Sequence, residues 1–262
     1  MPRRRVMTVL AILWATGTEI RADDYSENAP PAVIAAAVKR IQEERVAAEN
    51  RFQQQTSNAT LAWELARACF DCADLASNNT QRAHLAQAGI DVAQRAIALA
   101  PKLGAAYYYL GLNQGQLART RKLTALGLLK DIERSWNKAI ELEPAFDFAG
   151  PHRSIGILYR DAPGWPVSLG DRTKARQHLE KAAQLAPHYP DNQISLLESY
   201  LAWGNKETVR KQIPTVQPKL DTARAQLTGV IWELSWHDWD HRWKLLQSKI
   251  ASPRMKSPRS DE

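Results

Sequence analysis

Two cysteines in the stretch RACFDCADL are the residues of this 262-residue sequence whose spacing could support redox chemistry. Cys69 and Cys72 form a C-x-x-C pair, which is typical of thiol–disulfide oxidoreductases. In such enzymes the motif opens a helix, whose N-terminus lowers a thiol pKa. Here the pair lies inside a helix-like segment that begins near Asn58, and no βαβ pattern surrounds it. The sequence favours two small buried residues and leaves a redox or enzyme-accessory role for the pair as an alternative.

A second candidate for chemistry is the stretch HDWDH, in which His237 and His241 are four residues apart. A helix would place both imidazoles on one face, where Asp238 or Asp240 could join them on a metal ion. No third ligand at a suitable spacing is identifiable, so the pattern favours a solvated helix face. No hydrolase, metalloprotease, phosphate-loop or dinucleotide motif is present. We therefore expect a protein that is not an enzyme and that uses no metal and no cofactor.

Five residues are candidates for a groove that binds a partner or ligand. Arg119 and Arg121 form a basic cluster that could meet an anion or an acidic partner, or could simply be a solvated edge. Trp165 lies in DAPGWPVSLGD, where prolines and glycines predict a stiff loop. We expect Trp165 to fold beside the helix that carries His152 and Tyr159, either as a wall of the groove or as a plug of an apolar gap.

The elements that would position these residues follow from a repeat. AQRAIALAP, WNKAIELEP and LEKAAQLAP end at prolines that recur every 43 residues, with an alanine five residues before each proline. Proline ends a helix, and small residues let a second helix approach closely. The residues beyond a 34-residue repeat are predicted to fall between the two helices of each unit. They are segment 75–88 in the first unit, longer helices across 118–131 in the second and the loop 161–171 in the third. The predicted structural positions are Gly89, Ala96, Pro101, Gly111, Ala139, Pro144, Gly156, Ala182 and Pro187.

This pattern resembles the tetratricopeptide (TPR) repeat. It predicts an all-α, right-handed solenoid of about four helical hairpins, with extended insertions between helices and a C-terminal capping helix. The stretches LGLNQGQLAR, AGPHRSIGILY and APGWPVSLGD are similar to the TPR proteins related to the T component of TRAP transporters. That resemblance covers about residues 60–210. It implies a periplasmic helical protein that works beside a solute-binding protein.

The chain divides into five predicted segments. Residues 1–22 are predicted to be a signal peptide, because three arginines precede a short apolar run and Ala22 is a small residue at the cleavage site. The alternative is an N-terminal membrane anchor. Residues 23–56 form a linker and helix, 57–216 the repeat array, 217–251 the capping helices and 252–262 a disordered tail. The mature chain is expected to be periplasmic and to lack a transmembrane segment.

The net charge of the chain and its C-terminal tryptophans indicate which class of partner to expect. The formal charge of +7 falls to +4 without the predicted signal peptide, and this mild value does not indicate nucleic-acid binding. Trp232, Trp236, Trp239 and Trp243 lie on one face of a predicted helix. They indicate either an aromatic ligand face or a terminal helix packed on the last repeat. We expect a protein or peptide partner, and the sequence leaves the oligomeric state open.

Overall fold

The computed structural model describes residues 29–121, 125–164 and 167–251. Within them the regular elements are helices, and a single bridge joins Gly164 to Gly170 in a loop. The predicted signal peptide, the predicted tail and Trp165 lie outside the described residues. The described helices are α1 (Pro31–Gln54), α2 (Ala59–Asp74), α3 (Asn79–Leu99), α4 (Gly104–Arg119), α5 (Ala125–Leu142), α6 (Phe146–Asp161), α7 (Arg172–Leu185), α8 (Pro190–Ala202), α9 (Lys206–Gln226) and α10 (Val230–Ala251).

Side-chain caps fix where several helices begin. The side chain of Asn58 accepts hydrogen bonds from the backbone N–H groups of Thr60 and Leu61, and so starts α2. Asn78 caps α3 and Asp171 caps α7 in the same way. Such caps satisfy backbone donors that the first helical turn leaves free, and each contributes about 1 kcal/mol.

The helices pack as four consecutive hairpins, α2–α3, α4–α5, α6–α7 and α8–α9. The first helices of successive hairpins also pack on one another, α2 on α4, α4 on α6 and α6 on α8. In the described part of the chain, the second helices α3, α5 and α7 make no comparable contacts with one another. Because packing is closer on the inside of a curve, the first helices form the inner face of the array. The predicted all-α, TPR-like array is confirmed.

The additional residues of the 43-residue repeat are found in different places. In the first hairpin, the segment 75–88 was predicted to fall between the helices, but α3 already begins at Asn79 and has 21 residues. In the second hairpin, where longer helices were expected, α5 has 18 residues. In the third, segment 162–171 connects α6 to α7, and Asp171 N–H donates to the carbonyl of Tyr159 at 2.9 Å. Longer helices therefore account for the period in two hairpins, because neither segment contains proline and only Gly127 disfavours a helix.

The small residues of the repeat lie at close contacts between helices. Ala96, Ala139 and Ala182 are fully buried. A Cβ atom added to Gly111 would lie 2.4 Å from Nε1 of Trp136, so only glycine leaves space for that ring. The indole N–H of Trp136 donates to the carbonyl of Tyr108 at 3.2 Å, which fixes the ring between α4 and α5. Small residues on one helix thus accommodate large residues on the next.

The terminal helices enclose the array. Helix α1 packs on α2, and α10 packs on α8, α9 and also α1. Trp232, Trp239 and Trp243 of α10 are buried, whereas Trp236 is half-buried. Packing therefore accounts for three of the four tryptophans. Among the described residues, no helix is long and apolar enough to cross a membrane.

Candidate binding groove

Three aromatic side chains from successive first helices form a continuous group on the inner face, here called the aromatic ladder. Trp63 of α2 stacks on Tyr109 of α4, with ring centroids 5.7 Å apart and planes inclined by 12°. Phe146, at the start of α6, meets Trp63 edge-on at 5.8 Å and Tyr109 at 6.2 Å. Trp63 and Phe146 are only half-buried, so the ladder offers aromatic surface to a ligand.

A second aromatic group lies further along the inner face and includes α10. Phe148 of α6 stacks on Tyr189, which precedes α8, with centroids 4.4 Å apart and planes inclined by 4°. Trp232 of α10 meets Phe148 at 6.2 Å, and Trp239 meets Tyr189 at 5.5 Å. Offset-stacked and edge-to-face contacts each add about 1 kcal/mol beyond burial. Helix α10 therefore covers the inner face at the C-terminal end of the array.

A left-handed turn separates the two aromatic groups. Asp147, Phe148 and Ala149 have φ values of 48°, 55° and 59°, in a region that non-glycine residues rarely adopt. Each such residue costs about 1–3 kcal/mol, so the surrounding packing must hold the turn in place. The turn positions Phe146 in the ladder and Phe148 in the second group.

Asp147 is a buried carboxyl group at this turn. The hydroxyl of Tyr108 donates to its Oδ2 atom at 3.3 Å. Burial raises the pKa of Asp147 to about 7, and the nearby guanidinium groups of Arg153 and Arg67 only partly oppose that rise. The carboxyl group of Asp147 therefore becomes negatively charged near neutral pH.

Arg153 joins α6 to α8 in the interior. Its Nη1 atom donates to Oδ1 of Asn192 at 2.8 Å, and its Nε atom lies 3.1 Å from Oδ2 of Asp191. The guanidinium carbon lies 4.9 Å from the centroid of the Tyr189 ring. Removal of one partner from a buried ion pair lowers protein stability by about 3–5 kcal/mol. Arg153 therefore stabilises the packing of α6 on α8 beneath the second aromatic group.

The two arginines predicted for the groove have different environments. Arg119, at the end of α4, is mostly buried, and its Nη1 atom contacts Oδ1 of Asp74 at 3.3 Å and Oε1 of Gln116 at 3.2 Å. Arg121 lies just beyond α4 and is exposed. The charge of Arg119 is thus already matched within the chain, whereas Arg121 is accessible to an acidic group.

His152 and Tyr159 are found on a different side of α6 from the aromatic ladder. The Nδ1 atom of His152 lies 2.9 Å from Nδ1 of His178 in α7. The hydroxyl of Tyr159 donates to Oε1 of Glu133 in α5 at 2.6 Å. Both residues are buried in the seam between α5, α6 and α7, so they do not line the face that α6 shares with α4 and α8.

The cysteines lie within α2 and are unbonded and buried. Burial raises the pKa of Cys69 to about 11 and that of Cys72 to about 12. The Cys72 thiol donates to the carbonyl of Ile41 at 3.5 Å. A reactive thiol needs a lowered pKa, so these shifts run against the redox interpretation. In the described ranges, no cluster of three or more His, Cys, Asp or Glu side chains could hold a metal ion.

Sequence reasoning missed the residues that link the inner face to α10. Arg242 of α10 and Asp191 of α8, 2.8 Å apart, were not singled out, nor was the buried Asp147. One signal was present, since Arg242 directly precedes the last of four regularly spaced tryptophans. The spacing of the tryptophans did not show that α10 folds back onto the inner face. A helix that caps the end of the array and a helix that packs in its groove have the same amphipathic pattern.

Comparisons with known proteins bear on the fold. Residues 38–149 match the family model of regulator of microtubule dynamics protein 1-3, which is less than half of the chain and is not the TRAP T-component family that the sequence resembles. A TPR protein of Thermus thermophilus superposes with a TM-score of 0.59 at 17% identity, over 86% of this chain and 99% of that one. Yeast Tom70 gives a TM-score of 0.30 at 14% identity, over 92% and 68% of the two chains. No curated protein shows significant similarity. The chain is a TPR-like helical-repeat protein.

Proposed function

We propose that this chain is a non-enzymatic binding scaffold that captures a protein or peptide partner on its inner face. The observation that supports this most directly is the aromatic ladder of Trp63, Tyr109 and Phe146. It runs across three successive hairpins, and two of its three members remain half-exposed. Half-exposed aromatic side chains on a rigid surface often dominate the free energy of protein association.

The chemistry around the ladder indicates what part of a partner it accepts. The guanidinium carbon of Arg67 lies 5.6 Å from the centroid of the Trp63 ring. An apolar side chain of the partner would pack on the ladder, whereas the charge of Arg67 is already opposed within the chain by Asp71 and Glu64. The ladder therefore favours an apolar or aromatic segment of the partner. The family whose model matches residues 38–149 contributes only the idea of a scaffold to this proposal.

We further propose that the protein is exported and acts beside a periplasmic solute-binding protein. This part of the proposal depends on the resemblance to TRAP T-component proteins and on the predicted cleavage after Ala22. Intact-mass measurement of the protein from the extracytoplasmic fraction of its native host tests export. A mature chain that begins at Asp23 is the expected result. Retention of Met1 in a membrane fraction would contradict it.

Affinity purification with mass spectrometry tests the binding role. Wild-type protein and the Trp63→Ala variant serve as baits, with Trp203→Ala as a matched control. Trp203 is also half-buried, but it packs on Tyr200 and Arg172 near the α8–α9 connection, outside the ladder. We expect Trp63→Ala to reduce recovery of the partner by about tenfold and the control to leave it unchanged. Equal recovery by all three folded baits would exclude the ladder as the binding surface.

A further inference from the structure

Helix α10 is fixed to one face of α8 by charge as well as by apolar contacts. Asp191, Ser195 and Glu198 lie four and three residues apart, so they line one side of α8. Gln193 and Tyr200 point elsewhere, toward α7, where they contact Ala183 and Glu180. The side that carries the two carboxylates is thus free of α7 and is the side that α10 covers.

Arg242 of α10 occupies this side of α8. Its guanidinium donates to both carboxylate oxygens of Glu198, at 2.8 and 2.6 Å, and to Oδ1 of Asp191 at 2.8 Å. It also contacts Ser195 Oγ at 3.0 Å and Asp238 of its own helix at 3.2 Å. A forked arginine on carboxylates is a recognition contact that fixes orientation. The contact therefore fixes the position of α10 on α8 in addition to its apolar packing.

The apolar contacts of α10 also resemble those of a bound peptide. Trp232 and Trp239, seven residues apart, pack on the Phe148–Tyr189 stack, and Arg242 follows three residues later. Beyond Arg242 the fit is incomplete, because a cavity of about 300 Å³ remains between α8 and α10. Leu201 and Ala202 of α8 and Leu245, Leu246 and Lys249 of α10 line this cavity.

A short connection holds α10 beside α8, so a partner helix has to compete with a tethered one. Only residues 227–229 separate α9 from α10, and both Thr228 and Gly229 are exposed. Gly229 has a φ of 86°, which marks the point where the chain reverses onto the inner face. A helix that replaced α10 would also have to match its contacts with α1 and α9.

We propose that α10 is an internal occupant of a helix-binding site, and that the partner presents a helix of the same chemistry. Such a helix carries two aromatic residues seven apart and an arginine three residues after the second, as Trp232, Trp239 and Arg242 do. It binds the α8 side formed by Asp191, Ser195 and Glu198 and takes the place of α10. This inference deepens the proposed binding function, because it names the kind of partner and a second part of the inner face.

Peptide exchange in the full chain tests this inference. A protease site inserted between Thr228 and Gly229 is cleaved, so that α10 stays bound only through its contacts. A labelled synthetic peptide of residues 229–251 is then added, and native mass spectrometry follows its incorporation. We expect the peptide to replace the resident segment. The Arg242→Ala peptide should compete at least about tenfold less well, while Lys244→Ala, whose changed residue is exposed, should compete like the original.

Other outcomes overturn the inference. A cleaved protein that keeps its own segment indefinitely, or that unfolds on cleavage, would make α10 a permanent part of the core. Equal competition by all three peptides would remove the arginine from the recognition pattern. These results are separable from those for the aromatic ladder. Exchange of α10 with no effect of Trp63→Ala on partner recovery would overturn the ladder alone, and the reverse result would overturn only the helix-binding site.

Discussion

His152 of α6 and His178 of α7 face each other with their Nδ1 atoms 2.9 Å apart. One imidazole can donate to the other only while one Nδ1 atom carries a proton and the other does not. Burial lowers the pKa of His152 to about 4, with further contributions from His178 and from Lys181. Burial also lowers the pKa of His178, and Lys174 adds to this shift. The pair is therefore held neutral within the folded protein.

The first prediction concerns acid stability. Because the folded pKa of His152 lies below its unfolded value of 6.5, the pair stabilises the protein fully above pH 6.5 and progressively less as pH falls toward 4. As pH falls over this range, the midpoint of thermal unfolding should drop, and the free energy of unfolding should decrease by about 2 kcal/mol. His152→Gln should flatten the drop, because it removes the buried titrating group, whereas the exposed His188→Gln should retain it. Identical pH profiles for all three proteins would contradict the prediction.

The second prediction concerns Asp147, which should make the protein less stable as pH rises, whereas His152 makes it less stable as pH falls. Burial raises the pKa of this carboxyl from 3.8 to about 7, so its stabilising contribution is fully present below pH 3.8 and is lost as pH rises through 7. The wild-type melting midpoint should therefore fall between about pH 4 and 7 relative to that of Asp147→Asn, and the two curves should run parallel above about pH 8. Asp221→Asn, at an exposed position on α9, is the control. A wild-type curve parallel to that of Asp147→Asn between about pH 4 and 7 would show that the carboxyl does not titrate in this range.

The third prediction concerns the contact between α4 and α5. Ala139 is fully buried at a repeat position, so a leucine there would overpack the contact. Ala139→Leu should lower the free energy of unfolding by about 1–3 kcal/mol. Ala98→Leu, on an exposed position of α3, should change it by less than about 0.5 kcal/mol. Chemical denaturation of both variants measures the difference, and an unchanged Ala139→Leu protein would mean that the repeat positions have been misassigned.

Local spacing was sufficient to predict the hairpins but not the groove. Pro101, Pro144 and Pro187 follow the ends of α3, α5 and α7 by two residues each, because a proline acts on the helix directly before it. The start of α3 was harder to predict, since helix-forming residues and connecting residues overlap in composition. The repeat pattern therefore indicated the number of hairpins and only approximately their bounds.

The candidate site depends on contacts that are distant in sequence. Asp191 and Arg242 are 51 residues apart, and Trp63 and Phe146 are 83 residues apart. No periodicity indicates which face of one hairpin meets a terminal helix that folds back on the array. The turn at Asp147 was equally unpredictable, because left-handed backbone geometry is expected at glycine and asparagine and not at three consecutive other residues.

The last prediction addresses the alternative that Cys69 and Cys72 act in redox chemistry. Burial raises the pKa of both thiols, to about 11 and about 12, so neither forms an appreciable thiolate at neutral pH. Both should react with a disulfide reagent at least about 100-fold more slowly in the folded protein than in denaturant. Cys69→Ala and Cys72→Ala should each leave partner recovery unchanged. A thiol that titrates below about pH 8, or a reversible disulfide that forms in a glutathione buffer without unfolding, would instead support a redox role.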